Sequence, residues 1–120
     1  MYKDFQQLPV WQMAMQLAVE VFGLTDNLPR KEDYGLTSQI RRSSLSISDN
    51  IAEGFGRHHS ADKIKFYIYS RGSANETKNQ LLYGNKVGYF EEEIVNDLIN
   101  RIDTMIESLN KLIKTLSNGG

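Results

Sequence analysis

The C-terminal quarter of the chain carries the pattern that most constrains its fold, an apolar residue at every third or fourth position. The positions in this stripe are Ile94, Leu98, Ile102, Met105, Leu109, Leu112 and Leu116. Such spacing puts them on one side of an α-helix, close to the heptad seam along which helices pack together. A helix of this kind is stable mainly because its apolar stripe is buried against other elements. The rest of the chain must therefore cover this helix.

The remaining sequence also has helical periodicity and clear helix boundaries. The two prolines, Pro9 and Pro29, stand where we expect a first helical turn and a connecting turn. Gly54 and Gly56 are expected to end a second helix, and Gly88 suits the left-handed position that follows a third. No segment shows the alternation typical of a strand. We therefore predict four helices, over about residues 9–26, 32–55, 60–87 and 91–116.

Length and composition fit one all-α domain. Four helices of this length with short connections favour an antiparallel up-down-up-down four-helix bundle spanning residues 1–120. The chain has no cysteine, which excludes disulfides and thiolate metal sites. It has neither a run of about 20 apolar residues nor the pattern of a signal peptide. We expect a cytoplasmic protein with no membrane partner.

The charge is distributed unevenly, although the formal net charge is −1. Residues 57–89 contain six Lys/Arg and two Asp/Glu, whereas residues 91–120 contain three Lys/Arg and six Asp/Glu. The net charge argues against a strongly basic nucleic-acid binder. The local excess allows two interpretations, a solvated helix face or a basic stripe that contacts a partner.

The second helix carries a polar stripe beside its apolar one. Its members cluster on one side of the helix at 100° per residue and are Gln39, Arg42, Ser46, Asp49, Asn50 and Glu53. One interpretation is a hydrogen-bond network that fixes the register of two helices. The other is a binding surface. A pair of catalytic carboxylates is a weaker alternative, because no third group accompanies them.

The third helix has two contrasting sides. Its predicted core side is small and polar, and consists of Phe66, Ser70, Ser73, Thr77 and Gly84. The opposite side carries a second apolar stripe formed by Ile64, Ile68 and Leu82. Packing within one bundle needs a single stripe, so we predict that this second stripe is an oligomer interface.

No catalytic or cofactor-binding motif stands out. His58 and His59 are adjacent and would point about 100° apart on a helix, which does not suit joint metal binding. The Gly54-Phe55-Gly56 segment lacks the lysine and the preceding strand of a phosphate loop. We expect no metal, no cofactor and no enzymatic activity.

Several segments together resemble a known family. They are residues 8–12 (LPVWQ), 28–29 (LP), 32–36 (EDYGL), the block 38–57 (SQIRRSSLSISDNIAEGFGR), Gly72-Ser73, Glu76 and Gln80-Leu81. This pattern resembles the bacterial 23S rRNA-intervening sequence proteins, over nearly the whole chain. Within the block, the positions that match the family are Gln39, Arg41, Arg42, Ser46, Asn50, Glu53, Gly54 and Arg57. Ser43-Ser44 and Thr77-Lys78-Asn79 depart from it.

The resemblance implies a four-helix bundle that assembles as a ring-shaped homopentamer and is associated with RNA. It also implies a likeness to the accessory variability determinants of diversity-generating retroelements, which engage a reverse transcriptase and nucleic acid through a basic pentamer. On this basis we predict a non-catalytic oligomer that binds RNA or DNA. The predicted phosphate contacts are Arg41, Arg57, Lys63, Lys65, Arg71 and Lys78. The alternative is a module or scaffold that binds another protein through its oligomeric surface.

Overall fold

Four helices form the molecule, as the sequence predicts. The computed structural model describes residues 1–119, so Gly120, the last residue of the predicted domain, lies outside the described residues. Short 3-10 turns precede the first and second helices. The long helices are α1 (Pro9–Thr25), α2 (Leu36–Gly56), α3 (Ser60–Lys86) and α4 (Glu92–Ser117). The described residues contain no strand, so the prediction of an all-α bundle is confirmed.

Helix α2 begins four residues later than predicted. The predicted start, Glu32, lies at the end of a 3-10 turn, and Gly35 has a backbone that is not helical (φ −112°, ψ −117°). The Glu32 carboxylate accepts a hydrogen bond from the backbone N–H of Leu36 at 3.2 Å. Glu32 therefore stabilises the start of α2 from outside the helix.

Helix α3 begins at Ser60, the first residue of the predicted segment, and His59 occupies the N-cap. The predicted left-handed position after α3 is correct, because Gly88 has φ +87°.

Helices α2 and α3 run antiparallel and make the most extensive contact in the bundle. The hydroxyls of Ser46 and Ser73 lie 2.9 Å apart, and those of Ser43 and Thr77 lie 2.8 Å apart. Residue numbers thus fall along α2 as they rise along α3. These pairs fix which residues of the two helices lie at the same height along the bundle.

The helices follow one another around the bundle. Helix α1 contacts α2 and α4, and α3 also contacts α2 and α4. Within residues 1–119, α1 and α3 do not contact each other, so they occupy opposite corners. The bundle is 47 Å long and 23 × 20 Å across. We call its two ends the α2–α3 end and the α3–α4 end, after the connections found there.

The core consists of the inner stripes of the four helices. Its largest side chains that are fully buried are Leu17, Val21, Ile40, Ile47, Ile51, Leu81, Val95, Ile102, Met105 and Leu109. The α4 stripe is buried at Leu98, Ile102, Met105 and Leu109, whereas Ile94 at its start is exposed. The predicted stripe thus supplies the core along the middle of α4.

The inner side of α3 is small and polar, as predicted. Ser43 of α2 shares a hydrogen bond with Thr77 and donates one to Oε1 of Gln80 at 2.6 Å. Ser70 donates to the carbonyl of Ile47 at 2.8 Å. All three hydroxyl groups are buried, so the α2–α3 contact is a hydrogen-bonded network within an apolar core.

None of the helices in the described part of the chain is both long and apolar enough to cross a membrane.

Candidate nucleic-acid and assembly surfaces

Arg41, one of the six predicted phosphate contacts, joins α1 to α2. Its Nε donates to Thr25 Oγ1 at 2.7 Å, and its Nη2 lies 3.3 Å from Asp26 Oδ1. The guanidinium also stacks on the ring of Phe22, 4.1 Å from the ring centroid. These contacts hold Arg41 against its own chain and neutralise part of its charge.

Two cations of α3 point towards α4 but differ in their partners. Lys78 Nζ forms an ion pair with Asp103 Oδ1 at 2.9 Å. Arg71 Nη1 donates to the neutral side chain of Asn110 at 2.8 Å. Lys78 is therefore compensated by a carboxylate, whereas Arg71 is positioned by its partner and keeps its full charge.

Lys63 closes the C-terminus of α2. Its Nζ donates to the carbonyl oxygens of Phe55 at 2.8 Å and Gly54 at 3.4 Å. A cation at this position satisfies carbonyls that lack partners within the helix and complements the helix dipole. Lys63 thus has a structural role, but no carboxylate neutralises it in residues 1–119.

Arg57 and Lys65 flank the ring of Phe66 at the same end of the bundle. Arg57 lies 4.7 Å from the ring centroid and pairs with Glu53 at 3.1 Å, and both of these charged groups are largely exposed. Lys65 is exposed and lies 5.7 Å from the same ring. No ion pair of Lys65 occurs among the described residues.

The structure therefore separates the predicted cations into two groups. Arg57, Lys63, Lys65 and Arg71 lie in the half of the bundle nearer the α2–α3 end. Arg41 and Lys78 lie in the other half, and both form ion pairs. The six residues do not form one continuous surface.

Two further cations, which the sequence prediction did not include, lie in the same half of the bundle as the first group. Lys111 and Lys114 lie on the last turns of α4, and both are exposed. Lys114 is one helical turn beyond Asn110, which binds Arg71, so it lies beside α3. The sequence prediction missed them because the surrounding sequence is acidic. They come near the cations of α3 only through the packing of antiparallel helices.

Charge is consequently distributed unequally between the two halves of the bundle. The half at the α2–α3 end contains seven Lys/Arg and five Asp/Glu, whereas the other half contains seven Lys/Arg and ten Asp/Glu. The first half consists of residues 1–15, 46–74 and 105–119, and the second of residues 16–45 and 75–104.

The polar stripe of α2 divides between two environments. Asn50 donates to the backbone carbonyl of Ser46 at 2.9 Å, and Ser46 in turn contacts α3 through Ser73. Arg42 and Asp49 are exposed and form no ion pair within residues 1–119. One edge of the stripe thus stabilises the α2–α3 contact, and the other edge faces outwards.

The outer side of α3 exposes a set of large apolar side chains. Ile68 is 41% exposed and Leu82 is 43% exposed, and Ile64 is partly buried. Tyr69 and Tyr83, which were not predicted as interface residues, are also exposed beside them. We call these five residues the α3 face.

A second exposed apolar surface, absent from the sequence prediction, lies between α1 and α2. Val19 is 63% exposed, Phe22 57% and Leu45 45%. With Met15 and Ala18 they line an open groove of about 370 Å³ whose wall includes Arg41. We call these five apolar residues the α1–α2 groove. Its signal in the sequence is an apolar stripe on α1 wider than the core needs.

The two histidines do not form part of a larger ligand set. The rings of His58 and His59 are 5.0 Å apart and nearly perpendicular. Among the described residues, no three His, Cys, Asp or Glu side chains are grouped as metal ligands would be.

Comparison with known families agrees with this architecture. A sequence model of the 23S rRNA-intervening sequence proteins matches residues 6–111, which includes all of α1, α2 and α3 and most of α4. The chain belongs to the 23S rRNA-intervening sequence protein family. The resemblance based on the block at residues 38–57 is thereby confirmed.

A solved structure with a similar fold is also known. It is a protein of unknown function from the S23 ribosomal protein family of Bacteroides thetaiotaomicron VPI-5482. The two chains are 25% identical and superpose with a TM-score of 0.78, covering 88% of this chain and 98% of the other. No curated protein matches the chain significantly.

Proposed function

We propose that this protein is a non-catalytic, self-assembling protein that binds RNA through the phosphate backbone, using the α2–α3 end of its bundle. The proposal rests on the unequal distribution of charge between the two halves of the bundle. Cations outnumber acids only in the half that contains this end.

The cations at this end are available to phosphate oxygens. Lys65, Lys111 and Lys114 are exposed and have no ion-pair partner in the described part of the chain. Arg71 is held by a neutral amide, which orients its guanidinium without reducing its charge. Arg57 pairs with Glu53 in an exposed position, where such a pair contributes little and can be exchanged for a phosphate.

The arrangement favours backbone recognition over base recognition. The cations lie at the end of α2, on the first half of α3 and on the last turns of α4, and each helix within residues 1–119 packs against its neighbours in the bundle. Lys and Arg side chains spread over a convex surface neutralise phosphates and release counterions. The family is described by its connection with 23S rRNA intervening sequences, which makes RNA the polyanion to test first.

The test is fluorescence anisotropy with a structured RNA and an unrelated DNA duplex. With four of these five cations on phosphates, affinity for a duplex should fall roughly a hundredfold between about 50 and about 200 mM salt. The double variant Arg71→Glu/Lys114→Glu should weaken binding by more than about tenfold, because it reverses two charges on one surface.

The matched control is Lys31→Glu, which reverses an exposed charge in the acidic half of the bundle. It should change affinity by less than about twofold. The assignment of the site would be wrong if both variants weakened binding equally. The proposed function itself would be wrong if the wild-type protein bound neither nucleic acid at the lower salt concentration.

A second candidate function, a scaffold that binds another protein, is supported by the exposed apolar side chains of the α1–α2 groove. Binding of another protein to this groove, together with no measurable affinity for RNA, would favour this function.

A further inference from the structure

We propose that a polar groove between α2 and α3 binds one adenine nucleotide, either free in solution or as an unpaired nucleotide of an RNA. The groove lies between the first turns of α2 and the last turns of α3, in the acidic half of the bundle. It is separate from the cations at the α2–α3 end, so binding in the groove does not depend on the RNA surface proposed above.

The groove is open and has a volume of about 800 Å³, which is within the range of small-molecule sites in proteins. Most of its lining residues carry polar groups, in contrast to those of the α1–α2 groove. They include Glu32, Gln39, Asn79, Gln80, Tyr83 and Lys86. A ligand that fills this groove must therefore offer both hydrogen-bond donors and acceptors.

Gln80 supplies a hydrogen-bond donor that has no partner in the protein. Its side chain is 7% exposed and forms part of the groove wall. Ser43 Oγ donates to Gln80 Oε1 at 2.6 Å, which fixes the orientation of the carboxamide. Gln80 Nε2 has no hydrogen-bond partner within residues 1–119. Leaving such a donor unpaired is costly, so the groove favours a ligand that brings an acceptor to it.

Three carboxamides meet at one height in the groove. By the contact between Ser43 and Thr77, Gln39 of α2 is level with about residue 81 of α3, beside Asn79 and Gln80. The side chains of Gln39 and Asn79 are exposed, and neither forms a hydrogen bond within the described part of the chain. Carboxamides of Asn and Gln pair with the amino group and ring nitrogen of adenine, whereas guanine is matched by Arg or Lys and cytosine by carboxylates. The centre of the groove therefore suits adenine.

An aromatic ring and a cation follow the carboxamides along α3. Tyr83 lies one helical turn beyond Gln80 and is 53% exposed, so its ring is available to stack on a base. Lys86 is exposed and forms no ion pair within residues 1–119. It lies six residues from Gln80, or roughly 9 Å of helix rise. One ribose and the flexible lysine side chain span this distance, so Lys86 can bind the 5′-phosphate.

Two carboxylates give the groove a direction. Glu76, at the end away from Lys86, is exposed and unpaired in residues 1–119, so it repels a phosphate placed there. Glu32 lies at the Lys86 end. The hydroxyl of Tyr89 donates to it at 2.8 Å and holds the pKa of Glu32 below its ordinary value, so it remains an acceptor for a ribose hydroxyl.

Isothermal titration calorimetry with adenosine 5′-monophosphate (AMP) tests the site. AMP should bind more tightly than the guanine and cytosine monophosphates by about tenfold or more. Lys86→Glu should weaken AMP binding by more than about tenfold, because it replaces a charge-assisted bond to phosphate with a repulsion. The same variant should change the affinity for adenosine, which has no phosphate, by less than about twofold.

Two exposed residues test the base contacts without disturbing the core. Asn79→Ala and Tyr83→Ala should each weaken the binding of both AMP and adenosine by about fivefold or more. Asn75→Ala is the matched control, because Asn75 is exposed on the same helix but does not line the groove. It should leave both affinities unchanged, as should Arg71→Glu/Lys114→Glu, which alters only the proposed RNA surface.

Displacement of a fluorescent AMP analogue identifies the source of the nucleotide. Displacement by a short oligoadenylate RNA, but not by oligocytidylate, would support an unpaired RNA nucleotide, and displacement by AMP alone would support a free nucleotide. The proposal would be overturned if AMP did not bind at concentrations up to about 1 mM, if all three monophosphates bound equally, or if Lys86→Glu weakened AMP and adenosine alike.

Discussion

Replacing Gly84 by alanine would test how tightly the α3–α4 connection is packed. Gly84 lies in the last turns of α3, where the buried ring of Phe90 rests on its backbone. A methyl group at Gly84 would lie less than 3.0 Å from two carbons of that ring. The ring cannot move away freely, because Asn85 donates to the Phe90 carbonyl at 3.0 Å and the Phe90 N–H bonds to the Gly84 carbonyl at 3.2 Å.

The expected effect is a balance of two opposing contributions. Alanine is favoured over glycine inside a helix by about 1 kcal/mol. Overpacking of a core typically costs about 1–3 kcal/mol, and a ring displaced towards solvent also loses part of the roughly 1.5–3 kcal/mol contributed by its burial. Gly84→Ala should therefore lower the free energy of unfolding by about 2 kcal/mol.

Urea denaturation followed by circular dichroism, at one fixed protein concentration, measures this difference. Gly23→Ala is the matched control, because a methyl group there meets no atom within 4 Å. That substitution should leave stability unchanged or raise it by up to about 1 kcal/mol.

The same substitution in a protein that lacks the Phe90 ring tests whether this contact is the cause. In a protein that already carries Phe90→Ala, the added methyl group at Gly84 has no ring to meet, so Gly84→Ala should cost nothing and gain helix propensity. An equal cost in both backgrounds, or no cost with Phe90 present, would show that the contact between ring and backbone is not what limits this position.

Two further predictions concern polar contacts between helices. Ser43→Ala and Thr77→Val should each lower the free energy of unfolding by about 1–2 kcal/mol, and the double variant should cost less than the two together, because the bond between the two hydroxyls is then lost only once. Strictly additive costs would contradict a direct bond between these hydroxyls. The hydrogen bond from Arg101 holds the pKa of Glu20 below its ordinary value of 4.5, so the pair stabilises the folded protein above that pH and this contribution is lost as the pH falls below it. The difference in melting temperature between wild type and Glu20→Gln should accordingly shrink between about pH 6 and about pH 3, and a constant difference would refute this origin.

Periodicity predicted the helices and much of the core, because it reflects a property of each segment by itself. The α4 stripe is the clearest example, with Leu98 and Leu109 both buried. Its first member, Ile94, is exposed, whereas the neighbouring Val95, which the stripe leaves out, is buried, so the stripe misplaces the core side of α4 at this end. The start of α2 was predicted too early, because the 3-10 turn ending at Glu32 and the non-helical Gly35 depend on backbone geometry that periodicity does not record.

The surfaces were less predictable, because they depend on contacts between residues far apart in sequence. Sequence identifies the charge of Lys78, but only the packing of α4 shows that Asp103 compensates it. The same packing brings Lys114 beside α3 and Lys111 beside the start of α1, although both follow an acidic segment in the sequence. The α1–α2 groove could be recognised only once α2 was placed next to α1.

The unequal charge of the two halves of the bundle also affects how the protein binds to ion-exchange resins. At physiological salt, charges are screened beyond about 8 Å, a small fraction of the 47 Å length of the bundle. A charged resin therefore responds to one end of the molecule at a time, and the sequence pI of about 6.1 does not describe either end. We expect the protein to bind a cation exchanger through its α2–α3 end at neutral pH, and an anion exchanger through the Glu91, Glu92 and Glu93 end. Self-assembly that placed like ends side by side would strengthen both kinds of retention.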